Sequence, residues 1–142
     1  MKNKKKSKNF KIQAKGAFVD KGTIKEYLYM VPKEVSVRDF SEALTCFSEE
    51  QKEIWVELDM MELLLEADSL VFENMMDTFD STEDQLLLQQ LGVKAVYAFN
   101  YNSKDADAVS VALKELCQAF GGFIASDTED LEPTYTVDVF VP

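Results

Sequence analysis

A chain of 142 residues is about one domain in length, and its 46% apolar and 11% aromatic content gives it the material to fold. Disordered chains lack enough apolar side chains to offset their ordering entropy. It carries 15 Lys+Arg, 26 Asp+Glu and no His, for a formal net charge of -11. The missing histidine excludes a Ser-His or Cys-His nucleophile, a His-ligated metal and an unperturbed base titrating near neutrality.

That charge is segregated along the chain. Lys2, Lys4, Lys5, Lys6, Lys8, Lys11 and Lys15 all precede the first acid, Asp20, so residues 1–16 carry +7. Eight bases against 26 acids leave residues 17–142 at -18. Residues 49–84 hold 13 acids and one base, Lys52, which is -12 in 36 residues. Such a surface repels phosphate and attracts basic partners, with steering that salt screens. The chain divides into a basic flexible arm, residues 1–9, and a single acidic domain, residues 10–142.

In chain order, residues 10–31 read as a hairpin. Phe10, Ile12 and Ala14 alternate with polar residues, Asp20-Lys21-Gly22 supplies turn chemistry, and Ile24, Leu28 and Met30 follow before Pro32. Ser36 opens a helix with Asp39 three residues on, and Val37, Phe40, Leu44 and Phe47 form its apolar face. Residues 48–67 carry two patterns. Ile54, Trp55, Leu58, Met61 and Leu65 recur with helical spacing, while Ile54, Val56 and Leu58 alternate as a strand would. The Ser48–Gln51 capping pair and the Glu, Leu, Met and Ala content favour helix. Ser69 to Glu73 is a short strand. Ser81 caps a helix with Leu87, Leu88 and Leu91 on one side and Gly92 at its end.

Val93 to Tyr101 is apolar on both faces, which suits a central strand. Val109, Ala112, Leu113, Leu116, Cys117 and Phe120 then mark the strongest helix, stopped by Gly121-Gly122. Phe123 to Ala125 and Thr134 to Val141 close the chain as strands, the last with Tyr135, Val137, Val139 and Val141 on one face. The order predicts an α+β fold, a two-layer sandwich of helices on a largely antiparallel sheet. The strand-helix-strand unit from Val93 to Ala125 resembles the split βαβ arrangement of ferredoxin-like folds. That resemblance implies nothing about activity.

The basic start lacks the apolar stretch of a secretory leader, because Lys11, Gln13, Lys15 and Asp20 interrupt it. No window approaches 18 apolar residues, and two cysteines are too few for a disulfide framework. The expectation is a cytoplasmic protein in which Cys46 and Cys117 are buried, inert thiols. Two oxygen-rich loops, Asn100–Asp107 and Asp127–Glu132, have ligand types suited to Ca²⁺ or Mg²⁺ but lack the EF-hand spacing. No metal or other cofactor is expected. Neither G-x-G-x-x-G, a P-loop nor G-x-S-x-G occurs. Specific nucleic-acid binding is not expected from a body with eight bases, and no membrane partner is implied.

What remains is the acidic stretch with its interleaved Trp and Met, residues that dominate or adapt at interfaces. It points to a non-catalytic interaction protein that binds and inhibits or regulates a basic partner. A concrete form is a bacterial immunity protein against a nuclease toxin. The residues expected to carry it are Glu49, Glu50, Glu53, Glu57, Asp59, Asp77, Asp80, Glu83 and Asp84, with Trp55 as apolar anchor. The alternative is a small-molecule-binding regulatory domain of ferredoxin-like type, with Tyr27, Tyr29, Tyr97, Phe99 and Tyr101 lining a pocket.

Overall fold

The computed structural model describes residues 22–140. Its strands are β1 (Ile24–Val31), β2 (Lys52–Trp55), β3 (Met60–Leu64), β4 (Ser69–Asn74), β5 (Ala95–Asn102), β6 (Phe123–Ala125) and β7 (Thr134–Tyr135). They form one seven-stranded sheet in the order β2-β3-β4-β5-β1-β6-β7, antiparallel at every pairing. Three helices, α1 (Val37–Ala43), α2 (Thr82–Leu91) and α3 (Ala106–Phe120), pack on it. None of these helices is long and apolar enough to cross a membrane.

β1 forms where the second arm of the expected hairpin falls. It lies centrally, paired with β5 from Ile24–Asn102 to Val31–Ala95 and with β6 over Leu28–Met30. The hairpin's first arm and the basic arm lie outside the described residues. Because β1 runs antiparallel to both neighbours, β5 and β6 are parallel to each other, with α3 as their connection. The expected split βαβ unit is therefore present. The sheet as a whole is larger than a ferredoxin-like one, since β2, β3 and β4 extend it past β5.

The helix expected over residues 48–67 is not formed. The Ser48–Gln51 pair opens only a single 3-10 turn, Glu49–Gln51, and the chain then runs into β2 and β3. The reason is burial. Strand pairing sends Met61 and Leu63 fully inside, whereas a helix would have buried Trp55 and Leu58, which are 37% and 65% exposed. Tertiary packing has overridden helix propensity.

Alternation divides the sheet into two faces. Tyr29, Val31, Met61, Leu63, Leu70, Phe72, Tyr97, Phe99 and Ile124 meet α1 and α3 on the first. Phe40 of α1 is the hub, with ring centroids 4.6 Å from Tyr97, 5.4 Å from Phe72 and 5.9 Å from both Tyr29 and Phe120. The α3 face is as its spacing predicts, with Val109, Ala112, Leu113 and Leu116 buried. On the second face, Leu88 of α2 and Leu131 cover Leu28, Met30 and Val96. The expected two layers thus become three over the middle of the sheet.

Ser81 accepts the Asp84 N–H at 3.1 Å at the start of α2, as read from the sequence. The final strand is shorter than expected. After Tyr135 the chain turns, with the Phe140 N–H donating to Thr136 O at 2.9 Å. The turn buries Phe140 against Tyr27, 4.9 Å between ring centroids, and leaves Val139 66% exposed. Val141 lies outside the described residues. The thiols also differ from expectation. α1 stops before Cys46, which is exposed, and Cys117 is half-buried.

Candidate functional site

The second face of the sheet is covered only beside β1 and β5. Its far half, on β2, β3 and β4, is turned outward among the described residues. Register fixes which side chains share it. Trp55 opposes Met60, Met60 opposes Glu73, and Glu73 opposes Ala98. In the next row Glu53 opposes Glu62, Glu62 opposes Val71, Val71 opposes Asn100, and Asn100 opposes Glu26. Leu64 opposes Ser69 at the end of the ladder. Period-two alternation puts all these side chains on one side.

The result is an acidic plate with an apolar grain. Glu26, Glu53, Glu62 and Glu73 provide the charge. Trp55, Met60, Val71 and Leu64 provide the apolar surface, with Trp55 37% and Leu64 48% exposed. None of the four glutamates forms an ion pair among the described residues, where the recorded pair is Lys52 Nζ to Glu49 Oε2 at 3.2 Å. Lys52 itself points to the other face and also donates to Ser41 O at 2.8 Å. The plate therefore has no cation of its own from the described residues.

The structure separates the ten residues expected to dock a partner. Glu53 and Trp55 lie on the plate. Glu49 and Glu50 sit in the 3-10 turn leading into β2, and Glu57 in the 3-10 turn between β2 and β3. Asp77 and Asp80 follow β4, and Glu83 and Asp84 occupy the first turn of α2, where the helix dipole favours them.

Asp59 is turned inward. Its Oδ1 accepts the Val37 N–H at 2.9 Å, and its Oδ2 accepts from Asn74 Nδ2 at 2.7 Å and from the Tyr97 hydroxyl. Burial, and after it the Asp59 carboxylate, pushes the Tyr97 hydroxyl far above the usual tyrosine range, so it stays protonated and donates. Asp59 ties the β2–β3 turn to α1, β4 and β5.

Glu26, Glu62 and Glu73 were missed by the sequence reading. The signal for Glu53 and Glu62 was the strand-period alternation in residues 52–64, once the helical reading is set aside. Glu26 could not be joined to them without the pairing order.

The aromatic residues named for a ligand pocket fill the helix-side core instead. Tyr29, Tyr97, Phe99 and Tyr101 are at most 1% exposed, and Phe99 stacks on Tyr101 at 6.1 Å. An open groove of about 640 Å³ lies elsewhere, between α2 and the start of β5, lined by Glu34, Met76, Gln85, Leu88 and Lys94 among others. None of the five aromatics lines it.

Each of the two oxygen-rich loops uses one carboxylate internally. Asp105 accepts the Ala67 and Asp68 N–H groups, both at 2.9 Å, and Asp130 accepts the Glu132 N–H at 3.0 Å. Among the described residues no group of three or more Cys, Asp or Glu could hold a metal ion. Comparison with family models, with curated proteins and with solved structures finds no match to this chain.

Proposed function

We propose that this chain is a non-catalytic binding protein that presents the plate of Glu26, Glu53, Glu62 and Glu73 to a basic protein partner and thereby inhibits or regulates it. The observation that carries the reading is the Glu53–Glu62 pairing. Like charges directly opposite on neighbouring strands destabilise a sheet, and no cation among the described residues relieves them. A partner supplying lysines or arginines would remove that repulsion on binding.

Trp55 and Met60, paired at one end of the plate, suit an apolar anchor beside the charge. A paired sheet also holds its strands at fixed spacing, so little backbone entropy is lost on docking. The concrete form of the reading is an inhibitor of a nuclease. Its carboxylates occupy the cationic groove that would otherwise hold nucleic-acid phosphate, as an immunity protein does for a toxin.

The experiment is titration of the purified chain with decalysine and with a panel of basic nucleases at low and high salt. Exposed charge pairs contribute about 0.2–1 kcal/mol each, so Glu53→Gln, Glu62→Gln and Glu73→Gln together should weaken binding by roughly tenfold. Salt should weaken it as well. Binding that ignores both the substitutions and the salt would overturn the reading.

A further inference from the structure

We propose that the lysine-rich segment at the start of this same chain, residues 1–16, docks on the acidic plate and competes there with the basic partner. The proposal rests on the docking reading above and adds its regulation. Three observations on the chain support it.

The first is charge. The segment carries seven lysines and no acid, whereas the plate carries four glutamates with no cationic partner among the described residues. The other undescribed end, Val141-Pro142, brings no base. A second copy of the body would bring the same plate and a charge of -18, and would be repelled.

The second is the point of attachment. The segment joins the described domain at Gly22, two residues before β1. Glu26, on that strand, belongs to the plate's central row. The tether to the lysines therefore starts four residues from a plate glutamate.

The third is reach. From β1 to β2 the sheet takes four strand-to-strand steps, roughly 19 Å at ~4.8 Å per step. Lys15 is seven residues from Gly22 and Lys11 eleven, spans of up to roughly 23 and 36 Å at ~3.3 Å per residue. The lysines can cover the whole row from Glu26 to Glu53. Tethering converts this weak pairing into an intramolecular one at an effective concentration of about millimolar.

Trp55 is the only tryptophan and sits on the plate, so its fluorescence reads the contact directly. The test uses the full chain and a full-length variant with Lys2, Lys4, Lys5, Lys6, Lys8, Lys11 and Lys15 all changed to Gln. Acrylamide, a neutral quencher, should reach Trp55 less well in the parent at low salt than at about 1 M salt, where the Debye length falls to about 3 Å. The variant should show the high-salt quenching at both. The parent's protection should not change with protein concentration.

Decalysine then separates the two proposals. The variant should bind it several-fold more tightly than the parent at low salt. Equal quenching of Trp55 in parent and variant would overturn the docked segment, and the same result with intact decalysine binding would leave the plate itself standing. Protection that grows with protein concentration would overturn it in favour of docking between copies. Protection by the segment with no decalysine binding in the variant would keep the segment's contact and overturn the partner reading.

Discussion

Glu53 and Glu62 face each other across the β2–β3 ladder with no ion pair to either among the described residues. Opposed like charges on a sheet cost roughly 0.2–1 kcal/mol relative to neutral pairs. Either side chain could be replaced without disturbing the core, because Met61 and Leu63 bury the opposite face. Glu62→Lys should therefore raise stability by about 0.5–1 kcal/mol, by turning a repulsion into an attraction. The same change should weaken capture of decalysine. Urea denaturation and titration on one sample measure both. A variant that loses stability as well as binding would show the pair to be part of the fold's support instead.

Asp59 gives the opposite expectation. It accepts from Val37, Asn74 and Tyr97, so its removal leaves a helix-end N–H and an amide without their acceptor, while the Tyr97 hydroxyl keeps only the Val35 carbonyl at 3.1 Å. Each orphaned group costs about 1–3 kcal/mol when buried, and partial exposure of the site reduces the sum. Asp59→Ala should cost about 2–4 kcal/mol in urea denaturation. Decalysine binding at low denaturant should be unchanged. Weakened binding in a still-folded Asp59→Ala chain would return this residue to the docking surface.

How much of this was legible in the sequence differs element by element. α3 was clear because its apolar positions follow one period with no competing one, and Ser81 and Gly92 bounded α2 through backbone chemistry that is local. Residues 48–67 were not, because Glu, Leu and Met satisfy both periods and the decision lies in partners elsewhere in the chain. Met61 is inside only because Phe72 opposes it, and Phe72 only because Phe99 does. The candidate site depended on the same information. The sequence located its charge within residues 49–84, but pairing order puts Glu53, Glu62 and Glu73 of that stretch on one sheet face with Glu26 from outside it, while Asp59 hydrogen-bonds inward.

Gly122 offers a test of the core assembly. It sits at φ +96°, and a Cβ there would lie 2.2 Å from the Met30 carbonyl oxygen. That oxygen belongs to the central strand β1, which β5 and β6 hold from both sides, so it cannot move aside. Gly122→Ala combines a conformation that side chains disfavour with a backbone clash, and should cost more than about 2 kcal/mol. The check is a lowered midpoint in thermal denaturation. A near-neutral change would mean that the β1–β6 junction yields.

Glu115 on α3 reaches back to the end of α1. Its carboxylate accepts the Thr45 hydroxyl at 2.6 Å, the Thr45 N–H at 3.1 Å and the Cys46 N–H at 3.2 Å. Burial alone would raise its pKa, but these bonds to the charged form outweigh it, and the carboxyl is held below its ordinary value. The sign follows. A depressed folded pKa gives stability that is present above the ordinary glutamate value of about 4.3, and that is lost as pH falls through the folded value. Glu115→Gln should flatten that acid limb.

The same carboxylate raises the pKa of the exposed Cys46 thiol, with desolvation adding to it. At neutral pH Cys46 should therefore react with iodoacetamide more slowly than an unperturbed thiol, since the thiolate is the nucleophile. Glu115→Gln should speed it. Cys117, raised mainly by burial, should stay slow in both proteins. Mass spectrometry of the two labelled peptides over time reads each thiol separately. A Cys46 rate unchanged by Glu115→Gln would remove the charge coupling. A flattened acid limb beside it would still leave the hydrogen bonds to Thr45 and Cys46 in place.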